Sequence, residues 1–255
     1  MSRAEVVVCS IGSTDPWNAA GLGLDVRALA ACGARPVSVV AGVTAQDRTG
    51  IAAAAALPGA LVTAQLRGLA HAGIAAYRIG ALLDVATVAA IAEHLATERV
   101  PVVFDPVLAA SAGGSFADRA TIEAILELLV PQATLLTPNL AEAAALTGAA
   151  AVDDIAGMEA AGAALRGRGA GAVLVKGGHL RGAAIDVLVT ADQTIAFEAE
   201  RLTGTLRGTG CLLACAVAAE LARGAPLPGA VETARAFVRA RFATAHHVGG
   251  MNVAY

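Results

Sequence analysis

The sequence is short of several things at once, and each shortage removes a class of function. Lysine occurs once, at Lys176, among 18 Lys and Arg residues together. Aromatic residues make up 3% of the chain, charged residues 15%, and the net charge is −3. A nucleic-acid binder needs a basic footprint and, for single strands, stacking rings, so no nucleic-acid partner is expected. The four cysteines, Cys9, Cys32, Cys211 and Cys215, form no CxxC pair and no metal-ligand spacing. A disulfide framework and a zinc site are therefore not expected. A membrane segment is also missing. The chain is 56% hydrophobic, yet its longest uncharged stretch, residues 49–66, is cut by Pro58 and Gly59. A spanning helix needs about 20 predominantly apolar residues in a row. The opening MSRAEVVVCSIGSTD runs from a short apolar stretch into a polar turn, unlike a signal peptide. The expectation is a soluble, cytoplasmic protein with no membrane partner.

What is present is a regular alternation of short apolar runs and longer Ala-rich segments. The runs at 5–10, 36–43, 75–79, 100–104, 134–136, 172–175, 185–190 and 194–198 read as strands. Helices are predicted over 22–32, 61–70, 85–97, 118–129, 140–146, 154–166, 210–223 and 227–246. Strands alternating with helices give a parallel sheet covered by helices, hence an α/β fold. VVVCSI, VPVVF and AVLV are continuous rather than alternating, as strands buried on both faces are. The last two strands are separated by the turn Ala191-Asp192-Gln193, which predicts an antiparallel hairpin at the sheet edge. No stretch has the composition of a linker, so residues 1–255 read as a single domain.

In open α/β sheets ligands sit beyond the carboxyl ends of strands, so the polar turns there are the places to search. GTGCLLACAVAAELARG begins a helix with Gly208, Thr209, Gly210 and Cys211. Two glycines admit a close ligand, and the unpaired N–H groups of a helix start suit an anion. Cys211 in that first turn predicts a thiol pKa lowered by the helix dipole, although cysteines are also often plain core residues. AVLVKGGHLRG ends a strand in Lys176, an ammonium placed to meet a phosphate. Asp105 follows another strand, and Asn139 and Glu142 follow a third. These three make an oxygen-rich corner for hydrated Mg2+; Asn139 and Glu142 equally spell a helix capping box. Asp25 and Gln46 stand in polar segments near the first two strands and are candidates to hydrogen-bond a small ring, with Trp17 as a possible aromatic wall. Asp15-Pro16 reads as turn chemistry. Cys9, Cys32 and Cys215 read as core thiols.

Taken in order, SIGSTDPWNAAGLGLDVRAL, SVVAGVTAQDRTGI, VTAQL, RIGAL, PVVFDPVLAASAGG, LLTPNLAEAAALTG, AVLVKGGHL and GTGCLLACAVAAELARG resemble the hydroxymethylpyrimidine/phosphomethylpyrimidine kinases of thiamine biosynthesis. These belong to the ribokinase-like superfamily. The resemblance implies a three-layer α/β/α sandwich, use of ATP and Mg2+, and a homodimer. It implies that Gly208–Cys211 form the anion hole, with Cys211 as base. Lys176 would touch ATP phosphate, and Asp105, Asn139 and Glu142 the metal and phosphate corner. Asp25 and Gln46 would hold the aminopyrimidine, with Val43 and Ala81 lining its ring. Departures from the family pattern fall in the substrate loop (Asn18-Ala19-Ala20-Gly21-Leu22-Gly23-Leu24-Asp25), at Val26 and Arg27, at Ala81, where Met is frequent, and at Arg207, where His is common. A pyridoxal kinase, with the same scaffold and the same Cys, is the nearest alternative. A non-catalytic pyrimidine-binding module is another, against which the intact Lys176, Asp105, Glu142 and GTGC set argues. A dinucleotide-binding oxidoreductase is excluded because Gly21-Leu22-Gly23 lacks a third glycine.

Overall fold

Val8 and Cys9 point to opposite faces of the first strand, and the same alternation continues across a nine-stranded sheet. The computed structural model of the chain describes residues 5–47, 49–109, 113–180 and 182–255. Arg48, residues 110–112 and Arg181, which the quoted motifs include, lie outside the described residues. The strands are β1 (Val7–Ser13), β2 (Arg35–Asp47), β3 (Gly50–Ala56), β4 (Ile74–Ile79), β5 (Val102–Phe104), β6 (Leu135–Leu136), β7 (Val173–Gly177), β8 (Ala184–Val189) and β9 (Thr194–Ala199). Their order is β3-β2-β1-β4-β5-β6-β7-β8-β9. The run from β2 to β7 is parallel. The hairpin β8–β9 is antiparallel at one edge, as expected, and β3 makes a second antiparallel edge that the sequence reading did not foresee.

The two faces carry separate cores. Cys9, Ile11, Tyr77, Ile79, Phe104 and Val175 pack on α2 (Gly59–Gly68), α3 (Val85–Leu95), α5 (Leu140–Thr147) and α6 (Ile155–Gly167). Val8, Ala76, Val103, Leu135 and Leu174 pack on α1 (Gly21–Ala31), α7 (Thr209–Ala222) and α8 (Leu227–Ala243). This is the three-layer α/β/α sandwich that the resemblance implies. Helix α7 is apolar almost all round because it is buried between the sheet and α8.

Three differences from the expected boundaries bear on the rim of the sheet and the helices. The strand expected to end at Val43 continues to Asp47, because β3 pairs with its overhang from Gly42 onward. The helix expected over 118–129 is α4 (Arg119–Ala124), capped by Asp118, and then widens into a π turn at Ile125–Leu129. Helix α8 stops at Ala243 rather than continuing to His246. His246–Val248 instead forms β10, paired with β11 (Met251–Val253) in a terminal hairpin. Among the described residues no helix is long and apolar enough to cross a membrane.

Candidate functional site

From β1 the chain moves outward to β2 and β3, then returns to β4 on the other side of β1. That reversal opens a crevice at the carboxyl ends of the strands. Asp105 stands immediately after β5, Thr137 immediately after β6, and Lys176 near the end of β7. Opposite them, Gly208 caps α7 in a left-handed conformation, φ 78°. A side chain there would collide with Leu24 and the Ala19 carbonyl, so glycine lets the chain turn tightly into the helix. Gly210 brings the parts together: a β-carbon on it would stand 3.2 Å from both Asp105 Oδ2 and Lys176 Nζ. The helix start, the carboxylate and the ammonium therefore border one small space.

Beneath that space lies a chain of buried charges. Ser10 Oγ donates to Asp25 Oδ2 at 2.7 Å, and Arg78 Nη1 meets the same oxygen at 2.5 Å. Arg78 Nη2 reaches Asp105 Oδ2 at 3.3 Å, while Lys176 Nζ donates to Asp105 Oδ1 at 2.6 Å. Lys176 also lies 3.9 Å from Glu142 Oε2, and Thr137 Oγ1 donates to Asp105 Oδ1 at 3.2 Å. Asp25, Arg78 and Asp105 are at most 1% exposed. Burial opposes ionisation of Asp105, but Lys176 and Arg78 together hold its carboxyl below the ordinary range. Burial opposes the charge on Lys176 too, and Asp105 and Glu142 outweigh it, so its pKa is raised. Burial lifts Glu142 to about 7, against the pull of Lys176.

Several expected site residues are spent differently. Asp25, expected to meet the ring, is fully buried, and Ser10, Arg78 and Cys215 Sγ (3.4 Å) occupy its carboxylate. Burial raises its pKa, the charge on Arg78 opposing. The lowered pKa expected of Cys211 is also corrected. Burial pushes its thiol up to about 11, with Arg78 and a backbone hydrogen bond from Gly21 opposing. A helix terminus contributes about 0.3–1 kcal/mol, less than the roughly 1.4 kcal/mol that moves a pKa by one, so desolvation prevails. Asn139 and Glu142 do form the capping box: Asn139 Oδ1 accepts from the Glu142 N–H at 2.9 Å, and Glu142 Oε2 from the Asn139 N–H at 2.7 Å. The Asn139 oxygen is thus committed to the helix start, while Glu142 serves both the cap and the Lys176 corner. Asp15 is turn chemistry as expected, its carboxylate accepting from the N–H groups of Trp17, Ala19 and Ala20.

Gln46 is buried near the end of β2, over the rim of the sheet. Ala81 follows Gly80 at the end of β4, its carbonyl accepting from Ser13 Oγ at 3.1 Å. Val43 is 44% exposed on the overhanging hairpin. In the terminal hairpin Gly249 abuts the Trp17 ring, and Met251 and Val253 pack on Ala19.

Among the described residues no three His, Cys, Asp or Glu side chains gather into an all-protein metal cage. Asp105 and Glu142, spanned by Lys176, fit a cation that keeps most of its waters and leans on substrate phosphates, as Mg2+ does.

Two arginines escaped the sequence reading as site residues. Arg78 is signalled by a charge within the otherwise apolar strand IAAYRI, and Gly80 is needed because its guanidinium fills the space a side chain would take. Arg207 stands out in sequence only as a departure from a resemblance; its partner Gln46 lies 161 residues away.

What converges in the crevice can seat a small, transferable anion between fixed positive groups, with little else available for chemistry. Fold and site define a phosphotransferase. The chain belongs to the phosphomethylpyrimidine kinase family, whose sequence model matches residues 15–254. It is 37% identical over 242 residues to the hydroxymethylpyrimidine/phosphomethylpyrimidine kinase of Rhizobium meliloti, covering 94% of this chain and 91% of that one. In structure it is similar to phosphomethylpyrimidine kinase from Clostridium difficile, with TM-score 0.83, 26% identity, and coverage of 93% and 100%. It is similar also to pyridoxal kinase from Bacillus subtilis, solved as an ADP complex, with TM-score 0.88, 25% identity, and coverage of 96% and 94%.

Proposed function

We propose that the protein transfers the γ-phosphoryl group of ATP to 4-amino-5-hydroxymethyl-2-methylpyrimidine and to its monophosphate, in thiamine biosynthesis. The observation that carries the reading is the space bordered by Gly210, Asp105 and Lys176, in a chain 37% identical to a kinase of that name. Phosphoryl transfer asks for positioning and charge neutralisation more than covalent chemistry. The N–H groups of Gly208–Cys211 and the Lys176 ammonium would hold the transferring oxygens. Mg2+, when bound beside Asp105 and Glu142, would withdraw charge from the phosphates. In the first step the substrate hydroxyl oxygen bonds to the γ-phosphorus, the bond to the bridging oxygen breaks, and ADP leaves. Cys211 as thiolate takes the hydroxyl proton. Gln46 contacts the ring, with Val43 and Ala81 beside it. The protein acts as one domain and as a soluble, cytoplasmic homodimer, without nucleic-acid or membrane partners. The net charge of −3 and the exposed edge strand β3 support this.

Incubation with Mg-ATP and, separately, the pyrimidine alcohol, its monophosphate and pyridoxal tests the reading, with products identified by mass spectrometry. Pyrimidine diphosphate is expected from the monophosphate. Pyridoxal phosphate as the sole product would transfer the assignment to a pyridoxal kinase, a class to one member of which, from Bacillus subtilis, the chain is similar in structure.

The proton acceptor has its own signature. With the thiol near 11, kcat on the alcohol should climb about tenfold per pH unit between pH 7 and 9. On the monophosphate, whose attacking oxygen is already ionised, the profile should rise no more than about twofold, as Glu142 near 7 completes its ionisation. Cys211→Ala should accordingly cost the alcohol about 10²–10⁴-fold and the monophosphate far less. Equal losses on both substrates would remove Cys211 from the base role.

A further inference from the structure

Arg207 lies immediately before the glycine that opens α7, but its side chain turns away from the phosphoryl corner toward the end of β2. Nη2 donates to Gln46 Oε1 at 2.8 Å, and Nη1 donates to the Asp47 carbonyl at 3.1 Å. Nη1 also lies 3.1 Å from Met251 Sδ, and the Arg207 backbone N–H donates to the Asn252 carbonyl at 3.0 Å. One residue thereby joins the β2–β3 hairpin, the approach to α7 and the terminal hairpin. The last of these carries Gly249 against Trp17.

The contact with Gln46 has a polarity. A side-chain amide has an accepting oxygen and a donating nitrogen, while a guanidinium has donors only. Arg207 therefore admits one orientation of the Gln46 amide, oxygen inward to the clamp. The nitrogen is the end left to meet a ring in the crevice. Gln46 is 8% exposed, so a mismatched partner there is not readily rescued by water.

We propose that Arg207 is a positioning residue that locks Gln46 as a hydrogen-bond donor, so that the site selects rings presenting a lone-pair nitrogen and rejects rings presenting an N–H. The proposal deepens the functional reading above and rests on it where it takes the ring to be the aminopyrimidine. Removing the clamp frees the amide to rotate, and selectivity falls before fold or ATP binding does.

Two variants test this in the full-length protein. Gln46→Glu keeps the size and strengthens the pairing with Arg207, but replaces the donor by an acceptor. Its Tm should hold or rise and its KM for ATP should stay within about twofold, while KM for the pyrimidine alcohol rises about tenfold or more. Arg207→Met is read against the 4-oxo analogue, which carries N–H where the aminopyrimidine ring carries a lone pair. Its preference for the amino ring, as a ratio of kcat/KM, should drop at least about fivefold below that of the unaltered enzyme. A Gln46→Glu enzyme with unchanged pyrimidine KM, or an Arg207→Met enzyme with full preference, would overturn the proposal. Failure of the unaltered enzyme to phosphorylate the pyrimidine is a different result, and it removes the functional reading. The clamp is then judged by the effect of Gln46→Glu on the KM for pyridoxal: a rise supports it and no change overturns it.

Discussion

Arg78→Met should destabilise the protein by about 3–5 kcal/mol, the cost of stripping one partner from a buried ion pair. In a chain of this length that lowers Tm on the order of 10 °C. The side chain is 1% exposed and is shared between two buried carboxylates; its loss leaves Asp25 with only Ser10 and Cys215, and Asp105 with Lys176 and Thr137. Methionine matches much of the arginine stem, so the loss reads as charge rather than as cavity. The pH dependence separates the two. Asp25 already has a raised pKa, so its contribution to stability is present at low pH and fades as pH rises above its unfolded value. Asp105 has a lowered pKa and runs the other way, its contribution fading as pH falls below the unfolded value of 3.8. Removing Arg78 raises both pKa values, so the folded variant binds more protons than the folded parent. By linkage the stability gap then widens as pH rises and narrows toward pH 4. Urea unfolding at pH 7 and pH 4.5 reads this directly. A loss below about 1 kcal/mol at pH 7, or a gap independent of pH, would mean the charge chain contributes little to the fold.

The same arginine marks how far the sequence was legible. The parallel strands were readable because burial on both faces writes them as unbroken apolar runs, as in VVVCSI and AVLV. The ends of those strands, once ordered, delivered Asp105, Lys176 and the α7 start to one rim without knowledge of any distance. Strand β3 was not readable. Ala52–Ala56 favours helix by propensity, and only pairing with the β2 overhang makes it extended. Roles that depend on partners far along the chain were equally hidden. Asp25 looked like a ring ligand from its place near a polar loop, but Arg78, 53 residues on, claims its carboxylate. Cys211 followed the local rule for a helix start, and the rule lost to burial, which is a property of the packed layers and not of the GTGC turn. Asn139 and Glu142 show the opposite case. Their capping-box spacing was readable, and the structure adds that Glu142 holds a second relation, to Lys176, that spacing cannot express.

Lys176→Met should lower kcat by about 10²–10³ while leaving the protein folded. That is the scale of losing one fixed donor to the charge of a transition state. The ammonium reaches Asp105 at 2.6 Å and Glu142 at 3.9 Å, and lies next to the α7 start, so no other cation among the described groups touches all three. Its removal acts twice. The developing charge on the transferred group loses its nearest positive partner. Glu142, which burial already holds near 7 against the pull of Lys176, is driven higher and stays protonated at neutral pH, so one of the two carboxylates proposed to hold Mg2+ is neutralised. Raising the pH should therefore recover part of the activity of Lys176→Met but not all of it, because ionising Glu142 restores the charge of the proposed Mg2+ site and not the ammonium. Lys176→Arg is not expected to rescue: the forked guanidinium is wider than an ammonium and the space beside Gly210 is small. Steady-state kcat at pH 7 and pH 9, with circular dichroism to confirm the fold, decides the matter. A loss under tenfold would place Lys176 outside the transferring group, and full recovery at pH 9 would assign its role to Glu142 alone.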